Sequence, residues 1–146
     1  MITVLIDTNV LVYAHDQGEF TKQKQAIHVL EHLQLTGAGR LSAQTLAEFF
    51  RATTKGSKPI LSVREAVQQV EWLAQAWPIL DITRLVVLEA ARGAYVHRLS
   101  YWDAQLWATA RLNQIPIIFS EDFNTDATLE GVRFVNPFSP EFVPET

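Results

Sequence analysis

The sequence predicts an α/β fold in which a parallel β-sheet is covered by helices on both faces. Three observations carry that reading. Residues 2–6 and 115–119 are short aliphatic and β-branched runs without polar alternation, the character of buried strands. The segments between them space their apolar residues as helices do and open on recognisable caps. No repeat, low-complexity tract or linker divides the 146 residues, so 1–146 reads as one domain.

In chain order, residues 2–6 form the first strand and residues 8 to about 15 a short helix. Thr21 is placed to cap a second helix, with Ala26, Val29, Leu30 and Leu33 on one face, ended by Gly37-Ala38-Gly39. Arg40-Leu41-Ser42 is a brief strand. A helix follows over 43–54, stopped by Gly56 and Pro59. Ser62 with Glu65 three residues on is a capping box, opening a helix to about Ala76. Residues 78–82 make a short strand or extended link, and 83 to about 99 a helix with Leu85, Leu88, Val96 and Leu99 among its apolar positions. Ser100 opens the next helix, which ends near Asn113. Residues 115–119 are the clearest internal strand and 131–135 the last one; Pro137, Pro140 and Pro144 make the tail irregular.

Composition excludes several classes. Hydrophobic residues are 48% and charged ones 19%, a globular and not a disordered balance. With no cysteine there are no disulfides, thiolate zinc sites or cysteine nucleophiles. The N-terminus lacks a basic region and meets Asp7 at once, unlike a secretory signal. No apolar run approaches the roughly 20 residues that span a bilayer, so no membrane partner and a cytoplasmic location are expected. The net charge of −4, from 16 acids against 12 bases, argues against a protein that coats nucleic acid. It leaves room for an enzyme that touches a few phosphates through a local basic patch.

Ligands of parallel α/β sheets bind outside the carboxyl ends of the strands. Asp7 follows the first strand, and Ser120, Glu121 and Asp122 follow the strand ending at Phe119. Glu48 and Asp103 lie on helices that start from the same edge. Each acid also has a structural reading: Asp7 as a helix cap, Glu48 after Thr45 and Asp103 after Ser100 as capping-box partners, Asp122 as a turn residue. Their neighbours favour chemistry. Glu48 sits among Leu46, Ala47, Phe49 and Phe50, and Asp103 among Tyr101, Trp102, Ala104 and Leu106, with few bases beside Asp7 and Asp103. A buried acid is costly unless paired or bound to a cation. Four converging carboxylates would repel unless they took up protons or a divalent cation, and oxygen-only ligands suit Mg²⁺ or Mn²⁺. Such ions at a pocket mouth are the usual equipment of phosphoryl chemistry.

The acid-bearing segments resemble the motifs of a known family. Ile6-Asp7-Thr8-Asn9-Val10-Leu11 is similar to the opening motif of PIN-domain ribonucleases. Leu46-Ala47-Glu48-Phe49, Leu99-Ser100-Tyr101-Trp102-Asp103-Ala104 and Ser120-Glu121-Asp122-Phe123 resemble the later three, in order. The ending from Gly131 to Phe138 resembles the closing strand of VapC-type toxins of toxin–antitoxin pairs. The resemblance covers nearly the whole chain. It implies a PIN-like three-layer α/β/α fold with a central, mostly parallel sheet, and Mg²⁺- or Mn²⁺-dependent hydrolysis of RNA. It makes Asp7, Glu48, Asp103 and Asp122 the metal-binding acids, with Thr8, Asn9 and Ser120 as the groups that orient them. Glu121 and Asp126 are further acids beside the last motif, and Glu121 stands as an alternative to Asp122. The resemblance also implies an antitoxin partner that blocks the site, and a homodimer.

Arg51, about one helical turn past Glu48, with Lys55 and Lys58 beyond it, forms a basic strip that either meets RNA phosphates or is a solvated helix face. Trp72, Trp77, Trp102 and Trp107 read as core or interface packing before base stacking. His97 is a weak candidate for substrate contact. His28 and His32 lack the glutamate of a zincin motif. The rivals are a metal-dependent phosphatase, for which Asn9 stands where a second aspartate is needed, and a catalytically inactive PIN-like protein-binding module. A dinucleotide site is excluded because the first turn holds no glycine.

Overall fold

The computed structural model describes residues 1–123 and 127–144. Strand β1 (Val4–Ile6) leads through Asp7 into helix α1 (Thr8–Tyr13), and α2 (Phe20–Thr36) returns the chain to β2 (Gly39–Ser42). Helices α3 (Ala43–Thr54) and α4 (Val63–Ala76) precede β3 (Ile79–Leu80). The antiparallel-packed pair α5 (Arg84–His97) and α6 (Tyr101–Leu112) precedes β4 (Ile117–Phe119), and the hairpin β5 (Thr128–Leu129) and β6 (Val132–Val135) closes the sheet. The sheet order is β3-β2-β1-β4-β6-β5, parallel except where β5 meets β6. This is the mostly parallel α/β architecture that the sequence predicts.

Alternation along the central strands divides two cores. Val4 and Ile6 of β1, with Ile117 and Phe119 of β4, pack against α1, α2, α3 and α4 through Val10, Val29 and Phe49. Leu5 and Ile118 point the other way and meet α5 and α6 through Val86, Ala90, Leu106 and Trp107. Leu5, Ile6 and Ile118 are wholly buried, which is why these strands carry no polar alternation.

Several boundaries differ from the sequence reading. Thr21 does not cap α2. A turn in which Gly18 and Glu19 bond back to Asp16 delivers the chain to the helix two residues earlier, and Glu19 takes the cap position without a side-chain bond. Helix α5 ends at His97, and Arg98 adopts a left-handed cap conformation. Leu85, Leu88 and Val96 face solvent on α5, although their spacing suits a helix. Strand β5 has no sequence forecast. It is created by a two-residue turn, Glu130 at φ 49° and Gly131 at φ 86°, the doubly left-handed geometry that returns tight hairpins. The boxed cap of α4 by Ser62 and Glu65 forms as expected from sequence, whereas Thr83, read as the first residue of α5, is its cap and accepts from the Val86 N–H.

Candidate active site

The order of the sheet sets the site. Connections leave β1 toward β2 on one side, while β4 docks on the other, so a crevice opens at the carboxyl ends of β1 and β4. Asp7 and Ser120 are the first residues past those two ends. The Asp7 N–H donates to the Phe119 carbonyl at 2.9 Å, so the ladder itself holds them side by side.

Asp7 is 9% exposed and has two donors. Its Oδ1 accepts from the Thr8 N–H at 2.7 Å, which is the helix-capping role open to it. Its Oδ2 accepts from the Ser120 hydroxyl at 2.7 Å. Burial pushes the Asp7 carboxyl up to about 6. The bonds from Ser120 and Thr8 oppose that rise, and the charges of Asp122 and Glu48 add to it.

Ser120 is fully buried and uses its hydroxyl completely. It donates to Asp7 and accepts from the Asn9 Nδ2 at 3.2 Å and from the Asp122 N–H at 3.1 Å. Asn9 Nδ2 also donates to Asp122 Oδ2 at 3.0 Å. Asn9 Oδ1 is buried and has no hydrogen-bond partner among the described residues. On the other flank, the Thr8 hydroxyl donates to Glu48 Oε1 at 3.2 Å, and Gln44 Nε2 donates to the same oxygen at 3.1 Å. Ser42 caps α3 by accepting from the Thr45 N–H, so the Thr45–Glu48 capping box does not form and Glu48 is turned toward Thr8.

The structure therefore gathers Asp7, Glu48 and Asp122 around the start of α1: Thr8 and Ser120 hold Asp7, Thr8 holds Glu48, and Asn9 holds Asp122. Asp103 is not joined to this group by a hydrogen bond among the described residues. It occupies the first turn of α6, where its N–H donates to the Ser100 hydroxyl; its carboxylate makes no hydrogen bond or ion pair among the described residues. Hydrogen bonds thus tie three of the four expected acids to Thr8, Asn9 and Ser120. Among the described residues no three acids or histidines form a ready-made cage for an ion. The donor set nonetheless fits a hard divalent cation. All donors are oxygen, Asp7 is buried beside two further carboxylates, no lysine or arginine pairs with any of the four acids among the described residues, and the buried Asn9 Oδ1 lacks a donor.

Glu121 faces elsewhere. Its carboxylate pairs with Lys22 at 2.9 Å and accepts from the Tyr13 hydroxyl, tying β4's end to α1 and α2. Past the end of β4, Asp122 is thus bonded to Asn9, and its neighbour Glu121 to Lys22 and Tyr13. Asp126 lies outside the described residues. Arg51, Lys55 and Lys58 are exposed and make no hydrogen bond or ion pair among the described residues. His97 is engaged with Glu130 at 2.6 Å and packs edge-on against Trp107, so it is part of a packing cluster. Trp77 and Trp107 are core residues, whereas Trp72 and Trp102 are half exposed or more. Sequence reasoning missed two buried polar residues, Gln44, which bonds Glu48, and Gln105, which bonds Gln44. Their signal was available: an amide four residues before Glu48, and another in the middle of an apolar helix.

Fold and site together define a parallel α/β protein that carries carboxylates at its topological switch point. The PIN domain family matches residues 4–128, and the chain belongs to that family. No protein of curated function matches the chain by sequence. Among solved structures, a toxin–antitoxin complex from Klebsiella pneumoniae is 20% identical, with a TM-score of 0.67 over 92% of this chain and 98% of that one. A DNA-bound VapBC from Salmonella typhimurium is 17% identical, with a TM-score of 0.68 over 94% of this chain and 99% of that one. VapC20 from Mycobacterium tuberculosis, a toxin that cleaves the sarcin–ricin loop, is 19% identical, with a TM-score of 0.66 over 90% of this chain and 99% of that one. These likenesses establish a shared fold.

Proposed function

We propose that the chain, as one domain over 1–146, is a Mg²⁺- or Mn²⁺-dependent endoribonuclease and the toxin of a toxin–antitoxin pair. The observation that carries this reading is the buried Asp7, which shares its surroundings with Glu48 and Asp122 and has no cationic side chain paired with it among the described residues. Asp7, Glu48, Asp122 and Asp103 would hold the ion. Bound there, it supplies positive charge to a phosphoryl oxygen and acidity to a water.

The remaining work falls to the chain. Ser120 and the Thr8 N–H hold the Asp7 carboxylate in one orientation, and Asn9 holds Asp122. Both hydrogen bonds to Glu48 fall on Oε1, which leaves Oε2 to accept a proton from the attacking water. Attack is in line at phosphorus and the 3′-oxygen leaves. Arg51 and Lys55, exposed past Glu48 on α3, contact phosphates and position RNA without reading its sequence.

Two partners belong to the same reading. The toxin–antitoxin complexes among the structural neighbours support an antitoxin, and so does an apolar groove lined by Leu11, Ile27, Leu30, Phe49 and Trp72. Leu85, Leu88 and Tyr95, exposed on one face of α5, support a homodimer. The deciding experiment incubates a panel of cellular RNAs with the protein and Mn²⁺, beside Asp103→Asn and an EDTA control. Cleavage by the parent alone, abolished by EDTA, is expected. Equal cleavage by Asp103→Asn, or activity that survives EDTA, rejects the metal-dependent reading. No cleavage at all favours the inactive binding module.

A further inference from the structure

Gln44 and Gln105 are 8% and 6% exposed; Gln105 lies among largely apolar buried residues of α6, and Gln44 shares the buried side of α3 with Thr45, Phe49 and Thr53. A buried amide is costly unless its donors and acceptor are used. Here they are used by one another. The Tyr101 hydroxyl donates to Gln105 Oε1 at 2.9 Å, Gln105 Nε2 donates to Gln44 Oε1 at 3.0 Å, and Gln44 Nε2 donates to Glu48 Oε1 at 3.1 Å. Gln44 Nε2 donates its second hydrogen to the Trp102 carbonyl at 3.0 Å.

The direction of this chain is determined by chemistry. Glu48 Oε1 and the Trp102 carbonyl are both acceptors, so only the NH₂ end of Gln44 can face them. Gln44 must then present its oxygen to Gln105, which presents its own NH₂ there and its oxygen to Tyr101. Every donor therefore points toward Glu48, and bonds aligned head to tail reinforce one another. The local spacing supports it: Gln44 to Glu48 and Tyr101 to Gln105 are each one helical turn. The junction between Gln44 and Gln105 joins α3 to α6. Because the Trp102 carbonyl immediately precedes Asp103, one side chain grips Glu48 and the backbone beside Asp103 together.

We propose that Gln44 and Gln105 are positioning residues, a one-way amide relay that orients the Glu48 carboxylate and sets its distance from Asp103. The inference rests on the nuclease reading for its purpose, and on the hydrogen bonds alone for its existence. Its test is the double variant Gln44→Leu with Gln105→Leu. Replacing both partners by apolar groups of similar size removes the relay without leaving either amide half satisfied, so the fold is expected to survive with little change in melting temperature.

Two measurements follow. In metal-free protein, NMR of the side-chain amides should show the Gln105 NH₂ signal moving in Glu48→Leu, although Gln105 does not touch Glu48. Calorimetry with Mn²⁺ alone should show the double variant binding about tenfold or more weaker than the parent, the usual loss when a ligand's orienting partner is removed, with RNA cleavage falling alongside. A Gln105 signal indifferent to Glu48 would overturn the relay. So would a well-folded double variant that binds Mn²⁺ and cleaves RNA as the parent does. A parent that neither binds Mn²⁺ nor cleaves RNA defeats the nuclease reading and the positioning role with it, and the amide signals then still report whether the relay forms.

Discussion

The Ser120 hydroxyl donates a 2.7 Å hydrogen bond to the buried Oδ2 of Asp7, across 113 positions of sequence. Ser120 also receives Asn9 and the Asp122 N–H, so one buried oxygen joins two acid-bearing segments. Ser120→Ala removes all three bonds and leaves a buried carboxylate oxygen without its donor. A loss of about 1–3 kcal/mol of stability is expected, with at least a tenfold loss of RNA cleavage. Urea unfolding and a cleavage assay check both, and an alanine variant with parental stability would show that the bond contributes nothing.

The raised pKa of Asp7 makes stability depend on pH in a defined direction. Its carboxyl rises from 3.8 to about 6 in the folded chain, so the folded state holds the proton more tightly than the unfolded one. Stability is therefore lost as pH climbs from about 4 to about 6 and levels off above that, by on the order of 3 kcal/mol for this group. Asp7→Asn, freed of that dependence, should gain on the metal-free parent across the same window and match or exceed it at about pH 8, while losing RNA cleavage. Thermal melts at a series of pH values in EDTA measure this; parallel curves for the two proteins would contradict the buried-acid account.

Glu121 and Asp122 are adjacent, yet only Asp122 is held by Asn9, while Glu121 pairs with Lys22 and Tyr13. Asp122→Asn should lower cleavage by at least tenfold. Glu121→Gln should keep cleavage within a few-fold of the parent and act chiefly on the α1–α2 contact. The reverse ranking in kcat/KM would reassign the acid.

For Arg51 and Lys55, the decisive quantity is the salt dependence of RNA affinity. Each phosphate contact removed should reduce the slope of log affinity against log salt by about 0.7 for single-stranded RNA. Arg51→Ala and Lys55→Ala are expected to do so without changing the cleavage site. An unchanged slope and affinity would mark the strip as an ordinary solvated helix face.

Gly93 lies buried in α5, where an added Cβ would stand 2.7 Å from Trp107 Cε3. Trp107 is wholly buried and anchors the second core. Gly93→Ala gains about 1 kcal/mol in helix propensity but overpacks a rigid ring at about 1–3 kcal/mol. A net fall in melting temperature of a few degrees is expected, and a rise would show that the α5–α6 contact can yield.

Much of this protein was written into local sequence. The buried strands announced themselves through unbroken aliphatic runs, because both of their faces are covered. The caps at Ser62 and Ser100 were legible because a side-chain acceptor satisfies a helix end within three residues. The motifs around Asp7, Glu48, Asp103 and Asp122 marked the edge where a site would stand. What local pattern does not contain is which strand pairs with which. The docking of β4 against β1 is a long-range choice made by the packing of two cores, and only that choice puts Ser120 on Asp7. Tertiary contacts also turned Glu121 to Lys22, buried Trp77 and Trp107 while exposing Trp72 and Trp102, and closed Gln44 on Gln105. Each of these depends on side chains tens of residues apart sharing a desolvated volume, and no periodicity along the chain records that.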